Sequence, residues 1–144
     1  MRSIIFLIAL LFVVGCDKER QTSRKIKGEW DLVHMKATFS DGLSEYGTGT
    51  GYLKITESDQ DNYQCKFERH TDMQFPSMSY QETNTGYKTF KNKGKFSDSY
   101  LVDANNNVVF QESQRILMLT NTDLQIEYTN STGQFVTQTY RRKK

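Results

Sequence analysis

The chain is short of cysteine, proline and histidine, though serines and acids are plentiful. Only two of its 144 residues are cysteine, Cys16 and Cys65, so no disulfide framework holds it and stability must come from a packed core. Its single proline, Pro76, marks a strand interruption or a sheet edge. Two histidines, His34 and His70, leave few options for acid–base chemistry. No apolar run reaches the ~20 residues needed to cross a bilayer as a helix. Neither charge sign dominates: 19 Lys and Arg face 17 Asp and Glu, both spread along the chain, which removes the electrostatic case for nucleic-acid binding. Sustained 3.6-residue hydrophobic periodicity is missing too.

What the sequence does contain is alternation. In "NYQCKFER", Tyr63, Cys65 and Phe67 share one face, with Gln64, Lys66 and Glu68 on the other. In "DLQIEYT", Leu124, Ile126 and Tyr128 do the same, and "VVFQE" and "GYLKITE" repeat the rhythm over shorter spans. Period two with β-branched and aromatic residues is the mark of half-buried antiparallel strands. Turn-forming clusters separate them at Ser40–Gly42, Ser58–Asn62, Asn92–Gly94, Asp103–Asn107 and Asn130–Gly133. The prediction is an all-β domain over residues 28–144, an antiparallel up-and-down meander barrel of about eight strands, because closure protects the two edges a meander otherwise exposes. Alternation nominates Leu53, Ile55, Tyr63, Cys65, Phe67, Phe96, Tyr100, Phe110, Leu124, Ile126 and Tyr128 as inward-facing. A barrel of about eight strands is either filled by side chains or holds one small ligand. Its aromatics, Tyr63, Phe67, Phe96, Tyr100, Phe110 and Tyr128, are therefore the candidate ligand-binding residues, and their bulk predicts a narrow interior.

The N-terminus carries a different message. Arg2 precedes an uninterrupted apolar run, Ile4 to Val14, of the length of a secretory signal core. "VVGC", Val13 to Cys16, resembles the bacterial lipobox. That resemblance implies removal of residues 1–15 as a lipoprotein signal peptide and acylation (palmitate or a similar chain) of Cys16, the lipid anchor. Two or more acyl chains make a stable membrane anchor where one does not. Cys65 is then left without a partner. The polar stretch that follows predicts a flexible tether over residues 16–27. The expected location is the bacterial cell envelope, anchored to the outer membrane. Asp17 also resembles an inner-membrane retention signal, and "DKER" resembles a surface-export signal, so membrane and face stay open.

Two further stretches carry a second resemblance. "IKGEWDLVHM", Ile26 to Met35, is similar to the Gly-x-Trp opening of lipocalins and of small lipocalin-like bacterial lipoproteins. "ILMLTNTDLQIEYTNSTGQFVTQTYRRK", from Ile116, resembles the terminal hairpin of the same domains. The resemblance implies a structural plug at the closed end of the barrel, formed by Gly28, by Trp30 and by a terminal arginine laid across the indole. Arg141 or Arg142 is that residue, and the assignment falls on Arg141.

No catalytic constellation emerges. Neither histidine is tied to a nucleophile by a motif, no Gly-x-Ser-x-Gly elbow occurs, and no catalytic residue, cofactor or metal is assigned. Cys65 and His70 differ by an odd number, which puts them on opposite faces of a strand and argues against a shared metal. The basic clusters Lys88–Lys95 and Arg141–Lys144 read as solvated surface, with anionic headgroups as the alternative partner. The expected activity is non-catalytic binding of a small hydrophobic or amphipathic ligand. The competing expectation is an envelope protein–protein interaction module or hydrolase inhibitor. It would use loop tips at Phe39–Gly49 and Thr71–Ser79, where Met73, Phe75 and Met78 surround Pro76, together with the outer barrel face.

Overall fold

The computed structural model describes residues 18–59 and 64–144. The period-two segments become eight strands: β1 (Gly28–Thr38), β2 (Ser44–Asp59), β3 (Gln64–Gln74), β4 (Ser79–Lys91), β5 (Phe96–Val102), β6 (Val108–Leu119), β7 (Asp123–Thr129) and β8 (Phe135–Arg142). Each pairs antiparallel with the next and β8 returns to β1, giving the closed up-and-down barrel that the alternation and the lipocalin resemblance imply. No strand is left as a sheet edge. The turn clusters at 40–42, 92–94, 103–107 and 130–133 all fall between strands, and Pro76 sits in the β3–β4 connection. At two of these turns a side chain does the folding: Asp103 accepts from the amides of Asn105 and Asn107 at 2.8 and 2.9 Å, and Asn130 accepts from those of Thr132 and Gln134 at 3.1 and 2.9 Å.

One expectation fails. Residues 18–26 form a helix, α1, where a flexible tether was expected. A helix this short is marginal in water on its own, and packing is what holds it. Ser23 and Ile26 are buried, Ser23 Oγ lies 3.5 Å from Cys65 Sγ, and the Lys93 amide donates to the Glu19 carboxylate at 2.6 Å. Gly94 lets the β4–β5 turn press against the helix. Its φ is +77°, and a Cβ there would come within 1.9 Å of Thr22 Oγ1. The sequence hides this helix because docking against a barrel end needs only one or two buried side chains, far short of an amphipathic stripe.

The same end holds the plug. Trp30 is fully buried and its indole N–H donates to the Ile26 carbonyl at 2.8 Å. The guanidinium stacked on it, 4.1 Å from the ring centroid, belongs to Arg142, and the assignment to Arg141 is corrected. Parity decides: Val136, Gln138 and Tyr140 face inward on β8, which turns Arg142 inward and Arg141 out towards Asp123 at 3.7 Å. Arg142 also donates to the carbonyls of Lys25, Lys27 and Asn121, tying helix, first strand and β6–β7 turn together. Gly28, at φ +131°, makes room, since a Cβ would lie 2.5 Å from Arg142 Nη1.

Inside, the barrel has two unlike walls. From β7 through β8, β1 and β2 the buried residues are mainly apolar: Leu124, Ile126, Val136, Trp30, Leu32, Met35, Leu53 and Ile55. From β3 to β6 the buried apolar residues (Cys65, Phe67, Met73, Phe90 and Leu101) share the interior with polar and charged groups: Arg69, Thr71, Lys88, Ser97, Ser99, Glu112 and Gln114.

Candidate functional site

The polar wall opens at the end opposite the helix. β5 has seven residues and its last pair with β4 is Val102 with Thr85, so Ser79–Asn84 of β4 runs on beyond it. On β6, pairing with β7 begins only at Gln114 with Tyr128. A cavity of about 500 Å³ occupies this notch. Its walls come from Met78 to Glu82 and Asn84, from Leu101, from Val109, Phe110 and Glu112, and from the β7–β8 loop at 130–134.

Its floor is an ion network. Arg69, 1 % exposed, donates from Nη1 to Glu112 Oε1 at 2.9 Å, and from Nη2 to Glu112 Oε2 at 3.2 Å and to Glu82 Oε1 at 2.9 Å. Tyr80 and Asn84 donate to Glu82, and Gln114 donates to Glu112. Deeper still, Lys88 Nζ donates to Ser99 Oγ at 2.6 Å and to Gln114 Oε1, with its ammonium 4.9 Å from the Phe67 ring centroid. Burying one such charge costs several kcal/mol unless it is paired and hydrogen-bonded. The guanidinium is paired: burial opposes its charge, but Tyr128, Glu112 and Glu82 more than compensate and raise its pKa well above the ordinary range. Lys88 is not paired with a carboxylate, and burial together with Arg69 brings its pKa down to about 7. Two buried polar atoms have no hydrogen-bond partner among the described residues, Arg69 Nε and Tyr128 Oη. Tyr128 also lies under the guanidinium, 4.8 Å from ring centroid to Arg69 Cζ.

The six nominated aromatics fare unevenly. Phe110 lines the cavity. Tyr128 and Phe67 are buried in the interior, at the floor and below it. Phe96 and Tyr100 face outward, a correction to both, because β5 turns Ser97, Ser99 and Leu101 to the inside, where Ser99 meets Lys88. Tyr63 lies outside the described residues, as does Cys16. Missed entirely were Tyr80, Glu82, Asn84, Arg69, Lys88 and Glu112. Lys88, read as part of a solvated basic cluster, is 2 % exposed.

The other residues singled out from sequence lie elsewhere. Cys65 is buried beneath the helix, and that burial raises its thiol pKa, which disfavours the thiolate. His70 sits on the outer face, its Nδ1 2.9 Å from Thr83 Oγ1, and His34 stacks outside against Tyr46. Among the described residues no group of three or more potential ligands assembles that could hold a metal. Met73 and Phe75, expected at a loop tip, are core residues at 3 % and 1 % exposure. A shallow groove of about 370 Å³ crosses the outer face of β1 to β3 beside Tyr52 and His70.

No family model and no curated protein matches the sequence. Several solved structures share its fold. A redesigned β-barrel, mFAP1, solved with the compound DFHBI bound, superposes at a TM-score of 0.55 with 16 % identity, over 84 % of this chain and 98 % of that one. Another, b11L5F_LGL, gives 0.54 and 15 % over 85 % and 96 %. Bovine odorant-binding protein, in complex with a selenium-containing odorant, superposes more loosely, at 0.47 and 13 % over 83 % and 71 %. At these identities the likeness concerns the fold.

Proposed function

We propose that this protein is an exported lipoprotein whose barrel binds one small amphipathic molecule in its mouth, without chemistry. The observation that carries the reading is the notch. Its volume of about 500 Å³ falls within the ~300–1,000 Å³ of ordinary small-molecule sites. It also offers an apolar side (Met78, Leu101, Val109, Phe110) and a polar floor (Tyr80, Glu82, Asn84, Glu112). Buried charge networks are weak stabilisers, so a charged floor under an open mouth is better accounted for by recognition than by folding. The mFAP1 barrel, which holds DFHBI, supports the idea that this architecture accommodates a ligand. The competing reading through loop tips loses support, since Met73 and Phe75 are withdrawn into the core.

Anchoring rests on "VVGC" and the apolar run before it. Two experiments test the reading. Native mass spectrometry of protein purified from its own host should reveal a copurified small molecule, and a bare protein mass under conditions that preserve binding would count against the cup. Cys16→Ala should move the protein from the membrane pellet to the soluble fraction with its β-rich circular dichroism intact. Pelleting of that variant would refute the anchor.

A further inference from the structure

We propose that the mouth selects cations: its ligand is an amphipathic amine whose ammonium sits against Glu82 and Glu112 while its apolar portion lies on Met78, Leu101, Val109 and Phe110. This rests on the reading of the mouth as a ligand site and names the chemistry that site recognises.

The cavity lining contains two glutamates and no lysine, arginine or histidine. These same two carboxylates are paired with one buried guanidinium behind them, so the surface of the floor is acidic. Lys88 does not line the cavity: Gln114 stands beside it, accepting from its Nζ and donating to Glu112 Oε1, so the surface a ligand meets presents carboxylates and no cation. An anionic ligand would need the arginine fork, and both Nη atoms are already committed to Glu82 and Glu112. Only Nε lacks a partner, and it is buried.

An ammonium fares better on each count. Burying it requires acceptors for its protons. The two carboxylates retain unused lone pairs: among the described residues Glu82 Oε2 accepts only from Tyr80 and Glu112 Oε2 only from Arg69. The rings of Tyr80 and Phe110 line the same space, and aromatic faces attract cations. The outer field points the same way. At the open end Asp41, Glu45, Asp72 and Asp103 outnumber Lys36, whereas Lys93, Lys95, Arg141, Lys143 and Lys144 cluster at the helix end. A barrel polarised in this sense draws cations to its mouth.

The test is calorimetric titration of the full-length protein in phosphatidylcholine nanodiscs, with empty nanodiscs as the blank, using octylamine, octanol and octanoate. Octylamine should bind at least about tenfold more tightly than either. Glu82→Gln, a near-isosteric change at a partly exposed position, should abolish that preference, read as the ratio of octylamine to octanol affinity. Glu112→Gln is the second variant, and circular dichroism verifies both folds. Octanol or octanoate binding as tightly as octylamine would overturn the cation assignment and leave the ligand cup standing. Preference retained in both folded variants would also overturn it. Failure of all three probes on the unmodified protein would remove the cup itself.

Discussion

The two walls of this barrel answer to different demands. The wall from β7 to β2 is built as a core should be, with Trp30, Leu53, Ile55, Leu124 and Ile126 turned inward and almost fully buried. The wall from β3 to β6 also buries an arginine, a lysine, a glutamate and a glutamine. Burial of apolar surface stabilises by about 25 cal/mol per Å², while a buried ion network at best breaks even against apolar residues of the same size. The first wall holds the barrel shut; the second adds little to that, and under the proposed reading it serves selectivity.

Breaking the charged wall one residue at a time should have the largest effect. Arg69→Met leaves Glu112 buried and Glu82 half-covered without their cation, and should lower the unfolding free energy by about 3–5 kcal/mol. Arg69→Met combined with Glu82→Gln and Glu112→Met should restore the parent's stability or exceed it by about 1–4 kcal/mol. Urea unfolding midpoints check both, and a triple variant less stable than the single one would show that the network supports the fold. The same triple variant should lose ligand preference.

The second prediction concerns pH. Folding lowers the pKa of Lys88 from 10.5 to about 7, so between these values the unfolded chain holds a proton that the folded one has released. Stability contributed by this group therefore rises with pH above 7, by up to about 1.4 kcal/mol per unit. Cys65, whose thiol is raised above its usual 9.0 by burial, acts in the opposite sense from about pH 9 upward, which leaves pH 7 to 9 as the window. Around Lys88 stand Arg69, Glu112 and Cys65, and all three remain in Lys88→Met. Subtracting that variant's unfolding free energies from the parent's across the window isolates the slope, and equal slopes would refute the shift.

The smallest effect sharpens the contrast at the sealed end. Arg142→Gln removes the indole stack and three carbonyl contacts and should cost about 1–3 kcal/mol. Arg141→Gln removes one exposed ion pair at 3.7 Å and should change stability by less than about 0.5 kcal/mol. Thermal denaturation distinguishes them, and equal losses would mean the stack contributes nothing.

The apolar wall was legible in the sequence and the charged wall was not. Leu124, Ile126 and Tyr128 alternate cleanly with Gln125, Glu127 and Thr129, and hydrophobicity names the inner face at once. On β4 and over the first five residues of β5 both faces are polar or aromatic. In "FSDSYLV" the aromatics Phe96 and Tyr100 outweigh two serines, yet the serines point inward, because parity follows the pairing with Lys88 and Gln114 and ignores hydropathy. Even there a signal was available. Tyr80, Glu82, Asn84 and Lys88 share one parity, as do Phe110, Glu112 and Gln114. Once closure is assumed, those rows must face one another. Arg142 is a similar case: counting two from Tyr140 selects it over Arg141.

The docked helix has a geometric consequence. Residue 18 leaves the barrel beside the β4–β5 turn, at the end that Trp30 and Arg142 seal, and strands of about ten residues at ~3.3 Å per residue separate that end from the rim. Any attachment made through the preceding chain therefore joins the molecule at its base, the full height of the vessel away from its lip.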